Sequence, residues 1–146
     1  MFEAAKAFLT EVREGEPPSI RRLLELLDAL SAAYHALPIS EPFDTDDDIV
    51  AKRDWSESIK FLGRRFPNLG YYPVVDPLAD ITTEVSLGDA IDDLADIERD
   101  LEEYLERLAK FGPNDANWHV RFSYEIHWGW HLRELAAYLH AKEWRS

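Results

Sequence analysis

Apolar residues recur at intervals of three and four along most of this chain, which is the period of one α-helical face. Proline, glycine and acidic runs separate the periodic stretches. Phe2, Ala5, Phe8, Leu9 and Val12 define a first helix from Phe2 to Arg13, stopped by Gly15, Pro17 and Pro18. Ser19 is placed to cap a second helix, in which Leu23, Leu24, Leu27, Leu30, Ala33, Tyr34 and Leu37 keep the period and Pro38 ends it. The acids before Ile49 suit a helix N-terminus, so a third helix is expected from Asp46 to Phe66. Its inward set is Ile49, Val50, Trp55, Ile59, Phe61, Leu62 and Phe66, with Arg64 and Arg65 near its C-terminal end.

Pro67, Gly70, Pro73 and Pro77 disfavour helix from Pro67 to Val85, where Tyr71, Tyr72, Val74 and Val75 offer only a short strand-like piece. A loop this long inside a compact domain is uncommon, and its tyrosines and valines suit packing over the core. Ser86 and Asp89 read as a capping-box start to a fourth helix that Gly112 and Pro113 close. Leu87, Ile91, Leu94, Leu101, Leu105 and Leu108 form its bundle seam, interrupted by the charged Glu98. The last helix starts near Asn114 or Asp115 and runs through Trp144, which is roughly 30 residues and about 45 Å. The prediction is therefore all-α: an up-down bundle of about five helices with one long irregular loop, forming a single domain over residues 1–146.

Composition narrows function mainly by exclusion. The absence of cysteine rules out disulfides, thiolate metal sites and a cysteine nucleophile. A net charge of −13 and a pI near 4.7 argue against nucleic acid or an anionic membrane surface as partner. The acidity itself reads as solubility, with docking to a basic partner as the sharper alternative. The first residues carry no basic, apolar leader, and no apolar run approaches the roughly 20 residues of a membrane span, so a soluble cytoplasmic protein is expected.

Candidate chemistry concentrates on the last two helices. Extending the apolar face of Trp128, Leu132, Leu135 and Leu139 backwards at 100° per residue reaches Arg121, Glu125 and Trp118. Two charges on a buried stripe need partners, so Arg121 and Glu125 are expected to pair with each other or with Glu98. His127 and His131, four residues apart, present their imidazoles on one side of the helix, a spacing that lets both reach one metal ion. Folding the last two helices about Gly112-Pro113 sets Asp96 and Asp100 level with His131 and His127, beside Asp93 on one acidic flank. Carboxylates and imidazoles at one height suit zinc, manganese or iron; the alternative is a solvated acidic face with hydrogen-bonded histidines. Ser123 lies near His119 and His127 by spacing, but no oxyanion hole or nucleophile elbow accompanies it. Trp118, Phe122, Tyr124, Trp128, Trp130 and Tyr138 point in several directions, so this helix is central in the bundle with aromatic excess left for a protein partner or homodimer.

The ordered set Leu69-Gly70-Tyr71-Tyr72, Asp76-Pro77, Asp93-Leu94-Ala95-Asp96-Ile97, Asp100-Leu101, Trp118-His119, Arg121-Phe122-Ser123, Glu125, His127-Trp128-Gly129 and His131 resembles a bacterial domain-of-unknown-function family, number 5063. The resemblance implies a helical domain and carries no activity; Glu98 departs from it where an aromatic is expected. If the second helix packs alongside, His35 adds a third nitrogen, an arrangement similar to metal-binding bundles of the DNA-damage-inducible type. Two functions follow as expectations. The first is a non-catalytic interaction or accessory domain, and the second a metal-binding helical bundle, with a metal-dependent hydrolase as its catalytic form.

Overall fold

The computed structural model describes residues 1–43, 49 and 53–145. Helix α1 (Phe2–Arg13) is followed by α2 (Ile20–His35) and α3 (Trp55–Arg65), then by a two-stranded antiparallel hairpin of β1 (Tyr71–Val74) and β2 (Ser86–Asp89). Helix α4 (Ala90–Phe111) turns at Gly112 into α5 (Pro113–Ser123), a π-helical turn (Tyr124–Trp128) and α6 (Gly129–Arg145). The last three run on without a break as one rod, so the protein is an all-α bundle of five rods.

Local chemistry explains most boundaries. Ser19 Oγ accepts from the Arg22 amide at 3.1 Å and starts α2 as its cap. Asp54 Oδ1 accepts from the Ser56 amide at 2.8 Å, so the described part of α3 begins at Trp55 rather than at Asp46. The part of the expected third helix on residues 46–48 and 50–52 lies outside the described residues, and Trp55 stands 42% exposed instead of inward. Asp89 alone caps α4, accepting from the Ile91 amide at 3.0 Å; Ser86, read from sequence as part of that cap, is a strand residue. Leu87 consequently leaves the helical seam and stands 74% exposed on the outer side of the hairpin.

Helix α4 is central, touching α1, α3, α5 and α6, and α2 lies along α6. Cross-links between neighbours run in opposite chain directions: Arg22 to Glu11 at 2.7 Å, Arg21 to Glu143 at 3.0 Å and Arg107 to Asp115 at 3.3 Å. Each reports an antiparallel pair, the up-down arrangement that short connections favour. The interior is built from Phe8, Leu27, Leu30, Leu94, Leu101, Trp128, Leu132 and Leu135, all essentially inaccessible. Each such side chain contributes roughly 1.5–3 kcal/mol of hydrophobic stabilisation. This packing holds α4 and the last rod side by side, which is the geometry the site requires. Among the described residues no helix is long and apolar enough to cross a membrane.

Candidate functional site

Asp93, Asp96 and Asp100 occupy i, i+3 and i+7 on α4 and therefore share one stripe. Opposite them, His127 at the end of the π turn and His131 in α6 lie four residues apart, with ring centroids 4.9 Å from each other. The antiparallel hairpin about Gly112 brings the two stripes face to face. His127 Nδ1 lies 2.6 Å from Asp100 Oδ2, and His131 Nδ1 lies 2.8 Å from Asp93 Oδ1. An ionised carboxylate only accepts, so both Nδ1 atoms carry the proton and donate. The remaining nitrogens converge on the carboxylate between them: His131 Nε2 is 3.3 Å from Asp96 Oδ2, and His127 Nε2 is 3.9 Å from Asp96 Oδ1.

Burial grades the site from inside to outside. Asp93 is 4% exposed, Asp96 13% and His127 41%, so one rim reaches solvent. The bond to Asp93 raises the His131 pKa above the ordinary imidazole value against the opposing effect of burial, and Asp96 adds to the rise. Burial pushes the Asp100 carboxyl up, partly offset by its bond to His127. Burial and the neighbouring Asp96 charge also raise Asp92, one turn before Asp96.

His127, His131 and Asp96 each offer one ligand atom, all within 4.8 Å of one another. In a tetrahedral site with bonds near 2 Å, ligand atoms stand about 3.3 Å apart. The His131 and Asp96 atoms already stand at that separation, while His127 Nε2 is wider, at 3.9 Å from the other oxygen of Asp96. Imidazoles whose second nitrogen donates to a carboxylate are the usual outer arrangement of metal-binding histidines. Asp93 and Asp100 occupy that outer position, so Asp100 braces His127, and Asp93 takes the corresponding role on His131. His35 is elsewhere, edge-on to Tyr34 and beside Glu125 and Trp130, and does not join the other two histidines.

The other polar cluster read from the sequence is not assembled. Glu98 is 1% exposed but faces α1, accepting from Arg13 Nε at 2.7 Å, with Arg53 at 3.5 Å. Arg121 donates to the Leu37 carbonyl and lies over the Tyr34 ring, while the exposed Glu125 accepts from Tyr34 Oη at 2.9 Å. The reason is the π turn. Its wider loop shifts the phase of the helix, so the buried positions before Trp128 are Tyr124, Val120 and Ala116 rather than Glu125 and Arg121. Ser123 Oγ only donates back to the Val120 carbonyl at 3.4 Å, which leaves no nucleophile–base pair there.

Tyr72 is the residue near the site that the sequence did not mark. Its hydroxyl donates to Asp93 Oδ2, and it comes from the hairpin, 21 positions away along the chain. Its signals in the sequence are the strand-like character of Tyr71 and Tyr72 and their place in the family resemblance, neither of which points to Asp93.

Comparison with known proteins adds the fold and no activity. No functionally curated protein matches the sequence. The crystal structure of protein BF1032 from Bacteroides fragilis superposes with a TM-score of 0.75 at 17% identity, covering 99% of this chain and 90% of that one. At that identity the likeness concerns the fold alone. The sequence matches Domain of unknown function (DUF5063) over residues 3–143, and the chain belongs to that family.

Proposed function

We propose that this protein binds one divalent transition-metal ion, of the zinc, iron or manganese class, through His127, His131 and Asp96. The observation that supports it is the convergence of two imidazole Nε2 atoms on one carboxylate, while both Nδ1 atoms are engaged by Asp93 and Asp100. Two nitrogens and one carboxylate make a mixed donor set suited to those ions. Three protein ligands leave coordination positions for water, as in hydrolytic centres rather than closed structural zinc sites. The half-exposed His127 rim gives a small substrate access to such a water.

Elemental analysis of untagged protein, with thermal melting on adding zinc, manganese or iron(II), tests the reading. The expected result is close to one metal per chain and a metal-dependent rise in Tm that Asp96→Ala abolishes. Wild-type protein with no stoichiometric metal and no thermal response to any of the three ions overturns it.

A second reading, a docking domain for a protein partner or a second copy, draws on the hairpin. Leu78, Ile81 and Leu87 stand 90%, 101% and 74% exposed there. Light scattering at high concentration checks the homodimer form, which a strictly monomeric species eliminates.

A further inference from the structure

The metal-binding proposal accounts for α4 and the last rod but leaves the hairpin of residues 71–89 without a purpose. One inward-pointing side chain gives it one. Tyr72 is the buried residue of β1, stacked on Tyr138 of α6 with ring centroids 4.6 Å apart, and its hydroxyl reaches Asp93 between the two helices. Asp93 is thereby engaged on both oxygens, by Tyr72 on Oδ2 and by His131 Nδ1 on Oδ1. A carboxylate held in two directions cannot turn about its Cβ–Cγ bond without breaking one of them. Asp100, which braces His127, has only the histidine among the described side chains. The two histidines are thus held unequally, His131 being fixed through a tyrosine and His127 resting on a single bond.

The hairpin is fastened so that this hydroxyl has one position. The Ala90 amide donates to the Gly70 carbonyl at 3.1 Å, tying the strand to the start of α4, and the Gly70 amide donates to Tyr138 Oη at 3.3 Å, tying it to α6. Across the ladder Tyr72 pairs with Gly88. A Cβ at Gly88 would stand 2.8 Å from the Tyr72 ring and 2.6 Å from Val74 Cγ2, so the ring lies where only glycine admits it.

We infer that Tyr72 is a positioning residue for the metal site, fixing His131 through Asp93, so that the hairpin sets the ring angle of one ligand. This rests on the metal-binding reading. Outer partners of metal-bound histidines contribute 10–100-fold in metal affinity, and Tyr72 acts one hydrogen bond further out. Its removal is expected to cost about tenfold.

Cobalt(II) titration of the full chain, followed by the visible d–d bands and with folding checked by circular dichroism, reads the effect. Tyr72→Phe keeps the ring and its stacking but removes the hydroxyl. It is expected to bind cobalt about tenfold more weakly than wild type, with altered bands. Gly88→Ala, which pushes the ring aside while keeping the hydroxyl, is expected to change the bands in the same sense, and it decides the question if Tyr72→Phe does not fold. Folded variants with wild-type cobalt affinity and bands, even if they melt lower, make Tyr72 merely structural and overturn the inference. Wild-type protein that binds no cobalt removes the metal site itself, a failure distinct from the first because it precedes any substitution.

Discussion

A methyl group on Gly129 would stand 2.3 Å from the carbonyl oxygen of Tyr124. That proximity is what the π turn demands, because widening the helix at Tyr124–Trp128 drives this carbonyl toward the next residue. Gly129→Ala is therefore expected to destabilise by about 1–3 kcal/mol, the usual cost of overpacking an interior position. An ordinary helical glycine would instead gain from alanine. Urea denaturation distinguishes the two, since a stabilised Gly129→Ala would mean that the turn relaxes to α-helix without resistance.

The same turn marks where the sequence stopped being readable. Four of the five rods are legible in their three-four spacing and the third only in part, since Trp55 stands outward; the levels of Asp96 with His131 and Asp100 with His127 follow from a tight turn at Gly112. Phase upstream of Trp128 was not visible, because extrapolation at a constant 100° has no means of sensing a widened turn. Such extrapolation puts Glu125 in the core, whereas it faces water, and gives Glu98 a partner on the last rod, whereas it pairs with Arg13 of α1. Tyr72 was hidden for another reason: its partner Asp93 is distant in sequence, and the pairing depends on how the hairpin folds back on α4. Local periodicity contains nothing about that contact.

Arg65 closes the end of α1 from outside. Its guanidinium donates to the carbonyls of Val12 at 2.6 Å and Glu11 at 3.1 Å, which the last turn of the helix leaves without partners, and to those of Glu14 at 2.6 Å and Gly15 at 2.8 Å just beyond it. Arg65→Ala is expected to cost about 2–4 kcal/mol, given 1.5–3 kcal/mol for a single charge-assisted bond and incomplete additivity. Arg65→Lys should recover less than half, since an ammonium cannot reproduce a planar fork spanning four acceptors. Equal denaturation midpoints for the lysine variant and wild type would reject this account.

Glu98 and Glu125 offer a paired test of burial. Glu98→Ala takes from Arg13 its closest partner in an interface where Glu98 itself is 1% exposed, while Glu102 at 3.3 Å still faces that guanidinium, and a loss of about 1.5–3 kcal/mol is expected. Glu125→Ala removes one bond, from Tyr34 at 2.9 Å, on an exposed residue whose place water fills, and should change stability by less than about 1 kcal/mol. Reversal of that order in urea denaturation would return Glu125 to the interior.

His119 makes stability depend on mild acid. It faces Asp115 at 3.4 Å, with Arg107 and Glu103 in the same cluster; burial, and after it the Arg107 charge, lowers its pKa despite Asp115 and Glu103. The folded state thus takes up this proton less readily than the unfolded chain, whose histidine titrates near 6.5. Where the unfolded state binds more protons, stability rises with pH, so the His119 contribution is complete above about pH 6.5 and is lost as pH falls from there toward the lower folded-state pKa. Proton NMR of the His119 ring should give a midpoint below that of a free imidazole, and His119→Asn should melt with a shallower pH dependence than wild type between about pH 6.5 and 5. A midpoint above 6.5 would mean that Asp115, not burial and Arg107, controls the ring, and the sign of the pH effect would then be opposite.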